Sequence, residues 1–289
     1  MAVKGNLVNP AKFHKDQLKL YAVLLPMTLV MVLPIVYIVN HAFKPLEELF
    51  AYPPKFFVTN PSLTNFYKLI RATSASSVPF SRYLFNSIFV TLAVLGFTLI
   101  FTTMAAYALS KMNFRLKKLL MWANDIGLMF VAVALQIPRY LIVDKLGIHD
   151  TYFAHILPII VLPVGLLLLK QFVDGVPSAL IEAARIDGAG ELMTYWRIII
   201  PLIKPAMATV SILMFQEVWN NIETSSMYID TDVFKTFAFY MQTLSSNTNS
   251  VAGQGLAAAA TLIMFIPNVL LFVIMQSRVM STMATSGIK

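Results

Sequence analysis

The stretch Ile181–Pro201 reads IEAARIDGAGELMTYWRIIIP and holds Glu182, Arg185, Asp187, Glu191 and Arg197 in 21 residues of a chain that is 58% hydrophobic. Carboxylates and guanidiniums at these spacings make ion pairs and docking surfaces. Catalysis needs a nucleophile beside a base, or a metal with clustered donors, and the rest of the chain offers neither. No GxxxxGK[ST] string is present to cradle phosphates, and HExxH and GxSxG are absent too. Cysteine is missing, which excludes disulfides, thiol catalysis and thiolate-held metals. His14, His41, His149 and His155 lie in different segments, too dispersed for a ligand set. No catalytic residue and no metal ligand is therefore assigned.

A second group of polar residues falls inside apolar runs. Asn86, Asn124, Asp125, Glu217, Asn220, Asn221, Glu223 and Asn268 all do so, with Trp219 among them. Ionisable groups in hydrocarbon are costly and face a bundle interior or a water-filled path. Asp125 and Asn268 are read as interhelical hydrogen bonders. Trp219, Asn220, Asn221 and Glu223, with Asn86, are the candidate substrate path. An aromatic face, amides and carboxylates together suit a polar ligand with an apolar face, such as a sugar.

These residues need helices to hold them. The 289-residue chain has mean hydropathy +0.72 and 12% charged residues, against about 25% for a soluble domain. Several apolar runs reach the roughly 20 residues needed to cross a bilayer as helices. We expect an all-α membrane protein with six transmembrane helices, near 18–42, 82–110, 119–142, 152–174, 205–228 and 255–277. The first, preceded by Lys4, Lys12, Lys15 and Lys19, is expected to be an uncleaved signal anchor. With the N-terminus inside, most of the 22 Lys and Arg lie on the inner side, among them Lys111, Arg115, Lys117, Lys118, Lys170, Arg185, Arg197 and Lys204. The positive-inside rule then puts both termini in the cytoplasm and explains the net charge of +8 without nucleic acid. The expected organisation is one transmembrane domain over 1–289, with a cytoplasmic loop at about 176–204 and an extracellular loop at about 43–81. A short helix is expected after Ser62. The AAAA run at 257–260 is expected to permit close helix packing.

Within the cytoplasmic loop, Pro177 and Ser178 predict a helix start. Glu182 and Arg185 sit at pairing distance, i to i+3. Asp187-Gly188 predicts a left-handed stop. A second helix is expected from Glu191, with an apolar stripe of Leu192, Tyr195, Trp196 and Ile199. Pro201 and Pro205 are expected to break it before the fifth span. Ala179, Ala183 and Ala184 present a small surface that suits a protein groove; the alternative is a helix resting on lipid headgroups.

EAARIDGAGELMTYWRIIIP resembles the EAA loop of binding-protein-dependent ABC transporter permeases. That pattern is EAA, three residues, Gly, nine residues, Ile, any residue, Leu-Pro. Here it reads Glu182-Ala183-Ala184, Gly188, Ile198 and Ile200-Pro201, with Ile in place of the usual Leu. The IDGAG form resembles the carbohydrate-uptake, maltose-type class. So do IPRYLIVDKLGIHDTYFAHILP (137–158), NPSLTNFYKL (60–69) and the Trp219-Asn220 pair, although Asn221 stands where the class has an acid.

The resemblance implies the type I importer permease fold in a bacterial cell membrane. It implies a second homologous permease, two cytoplasmic ATPase subunits that bind ATP and Mg, and an extracellular solute-binding protein that delivers a saccharide. It implies no cofactor in this chain. It makes Glu182, Ala183, Ala184, Arg185, Asp187 and Gly188 the ATPase-coupling residues, and it points the tail STMATSGIK (281–289) toward the ATPase. Two alternatives stand beside it. One is an ion-coupled secondary transporter using Asp125; the other is a permease of the same type for a non-sugar solute.

Overall fold

Long runs of Leu, Val, Ile and Phe close their backbone hydrogen bonds within helices, which is what a bilayer demands. The computed structural model describes residues 17–74, 78–246 and 251–286, and these contain helices and no strand. The helices are α1 (Gln17–Phe43), α2 (Leu46–Leu49), α3 (Thr64–Ser74), α4 (Phe80–Lys111), α5 (Lys117–Met129), α6 (Ala132–Leu146), α7 (Tyr152–Ile156) and α8 (Pro163–Asp174). They continue with α9 (Ser178–Ile186), α10 (Glu191–Thr194), α11 (Ile200–Trp219), α12 (Glu223–Tyr228), α13 (Phe237–Ser246) and α14 (Val251–Ser286). The N-terminal lysines Lys4, Lys12 and Lys15, and the end of the tail STMATSGIK, lie outside the described residues.

Among the described residues, four stretches are long and apolar enough to cross a membrane: Leu18–Phe43, Phe80–Lys111, Glu191–Trp219 and Gly253–Gln276. Two bent pairs, α5 with α6 and α7 with α8, raise the number to six if each pair is one span. The chain divides into two compact units, Met1–Leu69 with Thr248–Leu262 and Ile70–Asn247 with Ile263–Lys289.

In the first unit, Asn65 of α3 donates to the carbonyls of Ala42 and Lys44 at 3.0 and 2.9 Å, tying α3 to the end of α1. A Cβ on Gly255 would come within 2.7 Å of the Asn65 amide, so any other residue there would displace that side chain. Ala259 and Ala260 are buried, as the close-packing role of the alanine run requires. In the loop after α2, Glu48 accepts from the amide and hydroxyl of Thr59 and from the amide of Asn60. The Thr59 amide, first among these, holds its carboxyl below the usual value.

In the second unit, α4 is the hub. Its buried face runs Tyr83, Ser87, Val90, Val94, Thr98, Thr102 and Ala106, one residue per turn. Small and hydroxylated residues on that face let neighbouring backbones approach closely. Ala106 and Tyr107 pack with Leu169 and Val173 of α8 and with Ile199, Ile203 and Val210 along the Glu191–Trp219 stretch. Val90 and Val94 pack with Ile156, Met214 and Val218.

Three expectations need correction. The third span is not one straight helix. Phe130 and Val131 adopt extended conformations, and α6 leaves α5 at 116°. Pro138 lies inside α6. The fourth span bends by 53° where Pro163 opens α8, and the carbonyl of Ile160 freed there accepts from Thr98 at 2.7 Å. The fifth does not start afresh after Pro201 and Pro205. A π-helical turn, Tyr195–Ile199, joins α10 to α11, so helix runs from Glu191 to Trp219. Proline lacks an amide hydrogen and crowds the preceding carbonyl; the wider turn just before Pro201 accommodates both.

Candidate functional sites

The EAA segment forms α9, a left-handed turn and α10. Pro177 is the cap and Ser178 the first helical residue, without a side-chain capping bond. Gly188 has φ 79°, and the amides of Gly188 and Ala189 close on the carbonyls of Arg185 and Ala184. A non-glycine residue there would carry the left-handed strain. Ile181 is buried and anchors α9 in the core beside Val176 and Tyr195.

The opposite face of α9 is open. Glu182, Ala183, Arg185, Asp187 and Gly188 are exposed, whereas Ala184 is buried. Ile186 is 86% exposed, an apolar side chain held out on a charged loop. A cleft of about 410 Å³ runs between Leu180, Ala183 and Asp187 on one side and Met193, Arg197 and Ile198 on the other. The predicted stripe on the second helix splits. Tyr195 and Ile199 are buried, and Leu192 and Trp196 are exposed.

Arg185 does not pair with Glu182. Its guanidinium donates to Glu191 Oε1 at 2.8 Å, across the Gly188 turn. Glu191 Oε2 accepts from the Tyr107 hydroxyl of α4 at 2.6 Å. Sequence reasoning did not single out Tyr107 as a partner, and a lone tyrosine in an apolar run carries no signal of one.

The helix that begins at Glu191 stops at Trp219, about 43 Å further on at 1.5 Å per residue. Asn220 and Asn221 lie beyond the helix end rather than within it, and Asn221 Oδ1 accepts from the amide and hydroxyl of Thr224 to start α12. A cavity of about 540 Å³ opens here, lined by Gln216, Glu217, Asn220, Asn221 and Glu223 with Leu162, Val164 and Leu213. Arg139 of α6 stands 3.7 Å from Glu223. Four of the polar residues named from sequence therefore share one wall, and Gln216 joins them.

The other two candidates are occupied elsewhere. Trp219 is buried, stacks on Phe215 and donates its indole N–H to the Met264 carbonyl at 3.2 Å. Asn86 is fully buried; it donates to the carbonyls of Val233 and Lys235 and accepts from Tyr152 at 2.8 Å. Neither side chain lines the cavity. Asp125 is exposed on α5, and Asn268 donates to the Met264 carbonyl at 3.1 Å.

Asp150 lies at φ 58° between α6 and α7. Burial raises its carboxyl, but the amide and hydroxyl of Thr231, the Asp230 amide and Lys235 outweigh it and hold the carboxyl below its ordinary value. Among the described residues, no cluster of three His, Asp or Glu could hold a metal ion.

Residues 98–278 match the family described as "Binding-protein-dependent transport system inner membrane component". Protein LplC of Bacillus subtilis is 34% identical over 69% of this chain, and the matched stretch spans 65% of LplC. The polygalacturonan/rhamnogalacturonan transport system permease protein YtcP of the same organism is 30% identical over 73% of this chain and 71% of its own. The arabinooligosaccharides transport system permease protein AraQ, also of B. subtilis, is 25% identical over 96% and 99%. Among solved structures, one chain of a bacterial ABC transporter involved in the import of the acidic polysaccharide alginate has the same fold. Its TM-score is 0.79 at 22% identity, covering 92% of this chain and 98% of that one.

Proposed function

Since the chain belongs to the family of binding-protein-dependent transport system inner membrane components, we infer that it is the membrane-spanning permease subunit of an ATP-driven saccharide importer. It is a transport subunit and hydrolyses no ATP itself. Relatives named for arabinooligosaccharides and for polygalacturonan/rhamnogalacturonan support an oligosaccharide as cargo. We assign the chain to the bacterial cell membrane as one permease domain with six spans, each bent pair counting as one, and with both termini cytoplasmic. Its partners are a second homologous permease, two cytoplasmic ATPase subunits that bind ATP and Mg, and an extracellular solute-binding protein.

The observation that carries this reading is the exposed α9 with Ile186 held outward beside the cleft, closed off by the left-handed Gly188. An apolar side chain displayed on a charged loop suits a protein groove. In this reading ATPase closure moves α9, and the bundle exchanges access from one side to the other. Glu182, Ala183, Ala184, Arg185, Asp187 and Gly188 form the coupling surface. Glu217, Asn220, Asn221 and Glu223 line the solute path, with Trp219 next to Asn220 in the chain and buried.

The test is affinity purification from the host, followed by reconstitution with the binding protein. A co-purifying ATPase whose hydrolysis is stimulated by the saccharide-loaded binding protein is expected. Uptake that persists without ATP and collapses with an ion gradient would overturn the reading.

A further inference from the structure

The three final turns of α4 grip the coupling loop at both of its ends. Lys111 Nζ donates to the Val176 carbonyl at 2.7 Å, just before α9. Tyr107 donates to Glu191 at 2.6 Å, just after the Gly188 turn. Thr103 Oγ1 lies 2.6 Å from the Tyr195 hydroxyl. Thr103, Tyr107 and Lys111 are four residues apart and so share one stripe of α4. Glu191 and Tyr195 are also four apart, so the two side-chain rungs stack one turn above the other.

Of the carboxylates in the loop, Glu191 alone, among the described residues, reaches both α9, through Arg185, and α4, through Tyr107. The Arg185–Glu191 pair is about half exposed on each side, and such pairs contribute little to stability. Its consequence is geometric. The π turn begins at Tyr195, immediately after this joint. A π turn interrupts the regular i to i−4 ladder and marks functional sites in many helices. Motion arriving at Glu191 therefore meets an interrupted helix toward α11 and a direct hydrogen bond to α4.

We propose that Glu191 is a positioning residue that, through Tyr107, passes displacement of α9 to α4. This rests on the coupling role inferred above for α9. α4 carries the buried face on which α8 and α11 pack, so its displacement reaches both of these helices.

The complete transporter, reconstituted with its binding protein, tests this by counting saccharide molecules transported per ATP hydrolysed. Tyr107→Phe removes one oxygen and Glu191→Ala removes the carboxylate. Each is expected to lower that ratio at least threefold, and the double variant no further than the lower single. Loss of a merely stabilising contact would lower the yield of assembled complex and leave the ratio unchanged. Should Glu191→Ala fail to assemble, Tyr107→Phe carries the test alone. A wild type that couples normally, beside single variants with the same ratio or a double variant whose losses add independently, overturns the positioning role. A wild type without stimulated hydrolysis overturns the transporter reading instead.

Discussion

Asp150 Oδ1 lies 2.9 Å from the amide nitrogen of Thr231 and 2.8 Å from its hydroxyl, joining the α6–α7 turn to the segment after α12. The backbone adds a bond, Asp150 N–H to the Tyr228 carbonyl at 3.0 Å. The left-handed conformation at Asp150, φ 58°, aims the carboxylate at these donors, and Asp and Asn tolerate it better than other side chains.

Asp150→Asn keeps that conformation and removes the charge. It should cost about 0.5–1.5 kcal/mol at neutral pH, the range of a hydrogen bond strengthened by charge but open to water. The folded carboxyl titrates below its ordinary value. Its stabilisation is therefore complete above the unfolded value and is lost as pH falls through the lowered folded one. Thermal unfolding in detergent from neutral pH down to about pH 3 should show the gap between wild type and variant closing at the acid end.

Glu182→Ala and Gly188→Val should leave the protein in the membrane and lower saccharide uptake about tenfold or more. Gly188→Val adds about 1–2 kcal/mol of left-handed strain where a Cβ meets nothing within 4 Å, so the effect is conformational and not steric. Uptake of labelled oligosaccharide, normalised to membrane content, checks this; ATP-driven uptake at wild-type rate in both variants would sink the coupling assignment.

Asn86 and Asn220 should separate cleanly. Asn86→Ala strands the Lys235 carbonyl and the Tyr152 hydroxyl and leaves the Val233 carbonyl to Arg82 Nε alone, costing about 1–3 kcal/mol. Asn220→Ala changes an exposed residue of the cavity wall and should leave unfolding almost unchanged, while weakening saccharide transport severalfold. Parallel melting and uptake curves distinguish the two.

Gly255→Ala forces the Asn65 amide off the Ala42 and Lys44 carbonyls that it caps. Overpacking of this kind costs about 1–3 kcal/mol. A lowered melting temperature is expected, because an approach of 2.7 Å leaves the added methyl no room. Asn65→Ala should relieve the clash while leaving the two carbonyls unpaired, so the double variant should lose less than the sum of the singles.

The helical class and the loop from α9 to α10 were legible because each rests on local chemistry. Hydrophobic runs of span length need no partner to be recognised. Gly188 announces its left-handed turn because other residues are strained in that conformation. The proline signal at Pro201 was also local, yet it misled: a missing amide can be absorbed by widening a turn as well as by ending a helix. The break at Phe130-Val131 was not legible, since the apolar run continues through it and the nearest glycine, Gly127, lies within the last turn of α5.

Partner choice was decided at longer range. Arg185 had two carboxylates within reach along the chain, and the Gly188 turn brought Glu191 to it instead of Glu182. Asn86 and Trp219 have residue types that suit the cavity wall but are buried. Packing against the 233–235 segment and α14 occupied their hydrogen-bonding atoms. The amino-acid sequence by itself determined which segments are apolar helices, where the loop from α9 to α10 turns and which residue types are available to bind. Only the tertiary structure decided which polar atoms were taken up by neighbours and which stayed open to a ligand, because satisfying a buried donor depends on what packs beside it and not on its position in the chain.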